Sequence, residues 1–248
     1  AGIIHKDIKP ANILINADTS TVRIIDFGIS TKISLKSQNM KNPDSLEGTL
    51  AYISPEQTGR MNRIVDQRSD LYSLGVTFYE TLTGRLPFEY RDSMELVHSH
   101  IARVATPVHE LNAKVPEILS EIVERLMAKS ADERYQSAIG LKHDLDECFK
   151  RLQDGQIEAF ELAARDFSGK FQIPQKLYGR EEETNILLEA FGRVSEGANE
   201  LLLVGGFSGV GKSALVSEVH KPITARRGLF CQAKYEQYNR NIPFFGIS

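Results

Sequence analysis

The sequence predicts two units: a mainly α-helical one with a small β-hairpin at its front edge, then the start of an α/β one. Three observations carry this reading. Two short β-branched runs, "NILIN" (12–16) and "TVRIID" (21–26), flank the turn-like "ADTS". A stretch apolar on every face, "SDLYSLGVTFYETLTG" (69–84), precedes amphipathic segments that continue to about residue 150. Late in the chain an apolar run, a glycine turn and a helical pattern follow one another in "ELLLVGG" and "FSGVGKSALVSEV".

Taken in order, the two β-branched runs form a hairpin with polar residues at its ends. The stretch from Ile29 to Ile53 is rich in Ser, Thr, Lys and Asn and reads as a loop. In the helix that follows, Leu71, Tyr72, Leu74, Val76, Phe78, Tyr79 and Leu82 surround the axis, which predicts burial at the centre of the unit. Ser69 or Asp70 suits its N-cap and Gly84 its C-terminal stop. Pro116 suits a first helical position, ahead of a stripe of Ile118, Leu119, Ile122, Val123, Leu126 and Met127. Ala138, Leu141, Leu145, Phe149 and Leu152 share one face of a further helix. From Gln153 to Gln175 the pattern weakens, although "IEAFELAAR" fits a short helix. The expected division is 1–150, a linker at 151–176, and a second unit at 177–248. That second unit opens with a helix over 181–194 and a buried strand at "LLLV" (201–204).

With 41% hydrophobic and 25% charged residues, the 248-residue chain has globular rather than disordered composition. A formal charge of -3 gives no electrostatic footprint for nucleic acid or a membrane surface. No apolar run is long enough to cross a bilayer, and no signal peptide is expected. Cys148 and Cys231 stand far apart in no metal-like pattern, which fits a reduced, cytoplasmic setting. His98 and His100 have a two-histidine spacing without acidic or thiol partners, so a solvated helix face is expected rather than a metal site. The first residue is Ala1, so the natural amino terminus is expected upstream.

The first chemical constellation is "HKDIKPAN" (5–12) with Asp26-Phe27-Gly28. Phosphoryl transfer needs a positioned hydroxyl, neutralised phosphate oxygens, and a divalent metal held by hard oxygen ligands. Asp7 can orient an attacking hydroxyl and accept its proton, and Lys9 can stabilise charge on the migrating group. Asn12 and Asp26 offer an amide oxygen and a carboxylate for magnesium, and the hairpin between them brings both to one edge.

In this order, "HKDIKPAN", "DFG", "GTLAYISPEQ", "SDLYSLG" and "DERY" resemble the C-terminal lobe of a eukaryotic-like Ser/Thr protein kinase over residues 1–150. The resemblance implies that Asp7 is the catalytic aspartate, Lys9 the phosphate-contacting lysine, and Asn12 and Asp26 the Mg2+ ligands. It implies that Thr49 shapes the acceptor site, that Glu56 pairs with Arg134, and that Asp70 anchors the backbone of the catalytic loop. His5 is expected to pack beneath that loop. Lys6 stands where the family carries an arginine that receives an activation-loop phosphate through a planar fork, so dependence on such phosphorylation is not expected. Ser30, Thr31, Ser34, Ser37 and Ser45 are candidate phosphosites. The glycine-rich loop and lysine of an N-terminal lobe do not occur in the chain, so residues 1–248 alone are expected to show little or no kinase turnover.

The second constellation, "GFSGVGKS" (206–213), fits the P-loop pattern GxxxxGK[ST]. Backbone N–H groups of Gly206, Ser208, Gly209, Val210 and Gly211 would curl around phosphates at a helix N-terminus. Lys212 would reach the β/γ-phosphates of ATP, and Ser213 would ligate Mg2+. Gly179 and Arg180 in "LYGREEE" suit either a nucleotide contact or simple helix initiation by the acidic run. Together with "QYNRNIPF", this half resembles an AAA-like P-loop ATPase domain. The whole is similar to bacterial signalling proteins that join a Ser/Thr kinase to such a domain and continue into sensor and histidine kinase domains. The implied function is ATP-dependent phosphorylation of protein Ser/Thr hydroxyls beside a regulatory ATP-binding unit. The alternative is a pseudokinase scaffold whose only nucleotide site is the P-loop.

Overall fold

The computed structural model describes residues 3–32, 49–59, 63–154, 159–167, 179–207, 209–219 and 223. Ser34, Ser37, Ser45, Ser208, Cys231 and the "QYNRNIPF" stretch lie outside the described residues. In the first unit, β1 (Ile3–Ile4) pairs antiparallel with β4 (Thr31–Lys32), and β2 (Ile13–Asn16) with β3 (Thr21–Ile24). The β2–β3 register runs from Ile13 opposite Ile24 to Asn16 opposite Thr21. Asn16 sets the hairpin turn, because its Oδ1 accepts from Asp18 N and Thr19 N, both at 3.0 Å. Thr31–Lys32 is a short strand inside a stretch that reads as loop in sequence. Its two residues gain a ladder only through Ile3 and Ile4, some 27 positions away.

Helix α1 (Gln67–Thr83) occupies the centre of the unit. Leu71, Tyr72, Val76 and Tyr79 are buried, and Leu74, Phe78 and Leu82 pack partly buried around them. Two buried hydroxyls of this helix are satisfied by backbone carbonyls: Ser73 Oγ donates to Tyr52 O at 2.8 Å, outside the helix, and Thr77 Oγ1 donates to Ser73 O at 2.9 Å, one turn back. The N-cap is Asp66, whose carboxylate accepts from Arg68 N, rather than Ser69 or Asp70. The helix therefore begins earlier than its apolar pattern, and Asp70 is released for another role. Gly84 closes it in the left-handed conformation, donating from its N–H to Glu80 O.

Helices α2 (Ser93–Ala102), α3 (Val108–Leu111), α4 (Glu117–Leu126) and α5 (Ala138–Gln153) follow. Close approach of α1 to α4 depends on Gly75: a Cβ there would lie 2.7 Å from Leu126 Cβ and 3.0 Å from Met127 Cγ. On α5 the inward face is Leu141, Asp144, Leu145 and Cys148, while Ala138 and Phe149 face outward. The stripe is rotated from the all-apolar one because Asp144 is buried with polar partners of its own. Residues 159–167 form turns rather than a helix, and Phe160, Leu162 and Ala163 pack on the cluster around Leu126 and Tyr135.

In the second unit, α6 (Glu181–Ser195) and α7 (Lys212–Ser217) are joined through 196–211. The expected strand at 201–204 does not form. A strand exists only by pairing, and none of the described residues pairs with it; Leu201 and Leu203 are 86% and 90% exposed. Among the described residues no helix is long and apolar enough to cross a membrane.

Candidate functional site

The site of the first unit is built upward from α1. Asp70 is largely buried, and its two carboxylate oxygens accept from His5 N and Lys6 N, each at 2.7 Å. Burial raises its pKa above the ordinary range, against the lowering effect of those two N–H groups. Lys6 holds φ at 71°, a conformation rarely adopted by a residue with a side chain. The loop keeps it because both flanking peptide groups are fixed: Asp70 takes the N–H, and Gln57 Nε2 donates to Lys6 O at 2.9 Å. Gln57 is itself set by a capping box with Ser54. Its role was legible in "SPEQ" as an S-x-x-Q signature but escaped the sequence reading.

His5 ties this loop to the segment carrying Asp26. Its Nε2–H donates to Ile25 O at 2.9 Å and its Nδ1 accepts from Asp7 N at 3.3 Å, which selects one neutral tautomer. The imidazole also meets the Phe27 ring edge-on at 4.7 Å. A second tie runs from Ile25 N to Asn12 O, at 3.0 Å. The Asn12 and Asp26 segments are thus pinned side by side through Ile25. Asp26 sits at φ 64° and is exposed, its Oδ1 accepting from Gly28 N at 3.4 Å.

Asp7 is the hub. Its Oδ1 accepts from Thr49 N at 2.9 Å, and its Oδ2 lies 2.6 Å from Lys9 Nζ and 3.1 Å from Asn12 Nδ2. Lys9 Nζ also donates to Thr49 Oγ1 at 2.6 Å, and Asn12 Nδ2 to Asp7 O at 2.8 Å. Burial pushes the Asp7 carboxyl up, but the bonds from Lys9 and Thr49 and the Lys9 charge outweigh it and hold the group below its usual pKa. Asp7, Lys9, Asn12 and Thr49, 42 positions apart at their extremes, form one cluster.

Behind this cluster lies the Glu56–Arg134 pair, 3% and 1% exposed. Arg134 donates from two nitrogens to the two Glu56 oxygens at 2.7 and 2.9 Å, and Ser69 Oγ adds a bond to Glu56 at 2.6 Å. This fork fixes the segment after Tyr52 to α1 and to the turn before α5. Tyr52 itself donates to Glu80 at 2.6 Å, a contact that no sequence spacing announces.

In the second unit the glycine turn leads directly into α7. Gly209 and Gly211 have φ of 84° and 94°, and each would be strained with a side chain. Lys212 Nζ folds back to donate to Gly206 O and Phe207 O, both at 2.8 Å. A cavity of about 350 Å³ opens here, lined among others by Arg180, Glu183, Gly206, Val210 and Lys212. Arg180 is therefore brought to the same cavity as Lys212, while its guanidinium also pairs with Glu183 at 2.6 Å. Ser213 lies in the first turn of α7.

The chain belongs to the protein kinase family: the family model "Protein kinase domain" matches residues 1–145. The model "AAA ATPase domain" matches residues 176–248. A hybrid signal transduction histidine kinase G of Dictyostelium discoideum is 44% identical over 221 residues, covering 80% of this chain and 6% of that protein. A probable serine/threonine-protein kinase PknB of Bifidobacterium longum is 39% identical over 144 residues, 58% of this chain and 20% of that one. A probable serine/threonine-protein kinase CPE1738 of Clostridium perfringens is 36% identical over 185 residues, 75% of this chain and 26% of that one. The chain thus spans about a quarter or less of these relatives.

Proposed function

We propose that the first unit is the C-terminal lobe of a Ser/Thr protein kinase that transfers the γ-phosphoryl group of ATP to protein hydroxyls. The observation that carries this reading is the gathering of Asp7, Lys9, Asn12 and Thr49 within hydrogen-bonding distance, with the Asp26 segment pinned alongside. The donor set fits Mg2+: both hydrogens of the Asn12 amide face acceptors on Asp7 or its surroundings, which leaves its Oδ1 as a hard ligand, and the exposed Asp26 supplies a carboxylate. Bound Mg2+ and ATP would supply the transferable group and neutralise its charge.

The chain's own residues do the rest. Asp7, kept ionised by Lys9 and Thr49, accepts the hydrogen bond of an incoming hydroxyl and then its proton. Lys9 bridges Asp7 and Thr49 in the resting geometry, so an acceptor that takes over the Thr49 contact frees its ammonium for phosphate oxygens. Asp70, through the peptide groups of His5 and Lys6, holds Asp7 in place without touching substrate.

The second unit is a P-loop ATP-binding module with regulatory use, supported by its two left-handed glycines and by Lys212, whose bonds to loop carbonyls mark where phosphates would draw it. Protein substrates, cytoplasmic action and further sensor and histidine kinase domains belong to the same proposal. So does little or no kinase turnover from residues 1–248 alone. The test is phosphate incorporation from γ-labelled ATP by the intact protein. Asp7→Asn should lower it by roughly 10²–10⁴ while nucleotide binding persists. Equal incorporation by both proteins, or none by either, would instead favour the scaffold reading.

A further inference from the structure

Residues 159–167 follow α5 in a stretch whose sequence reads as linker, yet they are held by more polar contacts than a passive connection requires. Asp166 accepts from Gln136 N, from Ser137 N at 3.0 Å and from Ser137 Oγ at 2.8 Å, at the start of α5. Nineteen positions before Ala163, Asp144 on α5 is 1% exposed and accepts from Ala163 N and from Tyr135 Oη, both at 2.7 Å. Phe160 lies under the Arg151 guanidinium at 4.9 Å and packs with Leu162 on the buried cluster. The receiving surface is shaped for this occupant. A Cβ at Gly140 would collide with the Asp166 carboxylate, so the glycine leaves room for that side chain.

The contacts continue inward. Gln136, whose N–H Asp166 holds, donates from Nε2 to Arg134 O at 2.7 Å and accepts from Arg68 at 2.9 Å. Arg134 is the partner of Glu56. Phe167 and Gly179 are twelve residues apart, so the second unit is tied within about 40 Å of this anchor.

We propose that residues 159–167 are a docking strap: a segment seated on the Gln136–Ser137–Gly140–Asp144 surface that attaches the second unit to the first at the Arg134–Glu56 node. This goes beyond the kinase reading and holds whatever the second unit binds.

Two simpler pictures make different predictions. If Asp166 were only a local cap, its loss would free the Gln136 and Ser137 amides and nothing else. If the strap docks as one body, its loss also frees Ala163 N, whose acceptor is Asp144, and loosens 54–58. Hydrogen exchange of the 248-residue chain, resolved to short peptides, separates them. Asp166→Ala should speed exchange roughly tenfold or more at Gln136, Ser137 and Ala163, with a smaller rise in 54–58. Gly140→Ala should do the same, because its Cβ would collide with both the carboxylate and the Cβ of Asp166. Lys142→Ala, which removes an exposed pair with Asp146 on the same helix, controls for general loosening of α5. Should Asp166→Ala fail to fold, Asp166→Asn, which keeps an acceptor oxygen, serves the same comparison. Protection of Ala163 that survives the loss of Asp166, or Gly140→Ala exchange no faster than that of the parent chain, would overturn the strap.

Discussion

Replacing Glu56 by Ala should destabilise the first unit by about 3–5 kcal/mol, the range for removing one partner of a buried ion pair. The structure indicates why the value belongs there. Arg134 would keep its bonds to Ala128 O at 2.7 Å, Arg68 O at 3.0 Å and Lys129 O at 3.3 Å. It would lose both charge-assisted bonds, at 2.7 and 2.9 Å, at a site where Arg134 is buried. For a unit of this size the loss corresponds to a fall in Tm of roughly 6–20 °C. The chain has no tryptophan, so tyrosine near-UV circular dichroism follows the transition, aided by the buried Tyr72, Tyr79 and Tyr135. A second arm is Glu56→Leu with Arg134→Met, which should recover most of the loss because a packed apolar pair replaces an orphaned charge.

The pH arm has a definite sign. Burial raises the Glu56 pKa, but the Arg134 charge and the bonds from Arg134 and Ser69 outweigh it, so the folded value lies below the ordinary one. The associated stability is complete above about pH 4.5 and is lost as pH falls through the folded value. Glu56→Gln should flatten that acid limb. A loss under 1 kcal/mol for Glu56→Ala, or an unchanged acid limb for Glu56→Gln, would refute the reasoning.

Three further outcomes follow from other parts of the molecule. Gly75→Ala should destabilise by about 1–3 kcal/mol in a denaturant melt, because the clash with Leu126 outweighs the gain in helix propensity; a stabilised variant would contradict the packing described. Lys129, lowered to about 7 by burial and by the Arg134 charge, binds fewer protons folded than unfolded between pH 7 and about 10. Stability should therefore climb over pH 7–9, and Lys129→Met should remove the slope; equal slopes would contradict this. Lys212→Ala should abolish binding of a fluorescent ATP analogue to the second unit, measured by anisotropy; retained affinity would dismiss the P-loop reading.

What could be read in the sequence was what depends on local spacing. The hairpin, the all-round apolar helix closed by Gly84, and the octet around Asp7 all declare themselves within a few residues. The structure brings Arg134 to Glu56, a pair that the resemblance implies, and Thr49 to Asp7, a contact that no sequence spacing announces. Asp66 as N-cap was missed because Ser69 and Asp70 are equally good capping residues, and the tertiary demand of the His5 and Lys6 amides claims Asp70. The α5 face was misplaced because a buried aspartate breaks an apolar stripe, and Tyr135 and Ala163, from other segments, donate to it and make its burial tolerable. The same long-range contact hid the strap in a stretch of weak periodicity. The strand at 201–204 failed for the converse reason: its pattern is right, but a strand needs neighbours.

The most direct test of the phosphotransfer claim is the phosphoamino-acid content of a protein substrate incubated with ATP, Mg2+ and the intact protein carrying Lys212→Ala. With the second unit silenced, transfer to serine or threonine hydroxyls reports the Asp7 cluster, since a histidine kinase domain would label histidine. Phosphoserine or phosphothreonine that disappears when Asp7→Asn is added is the predicted result. Its absence before that addition would contradict the claim.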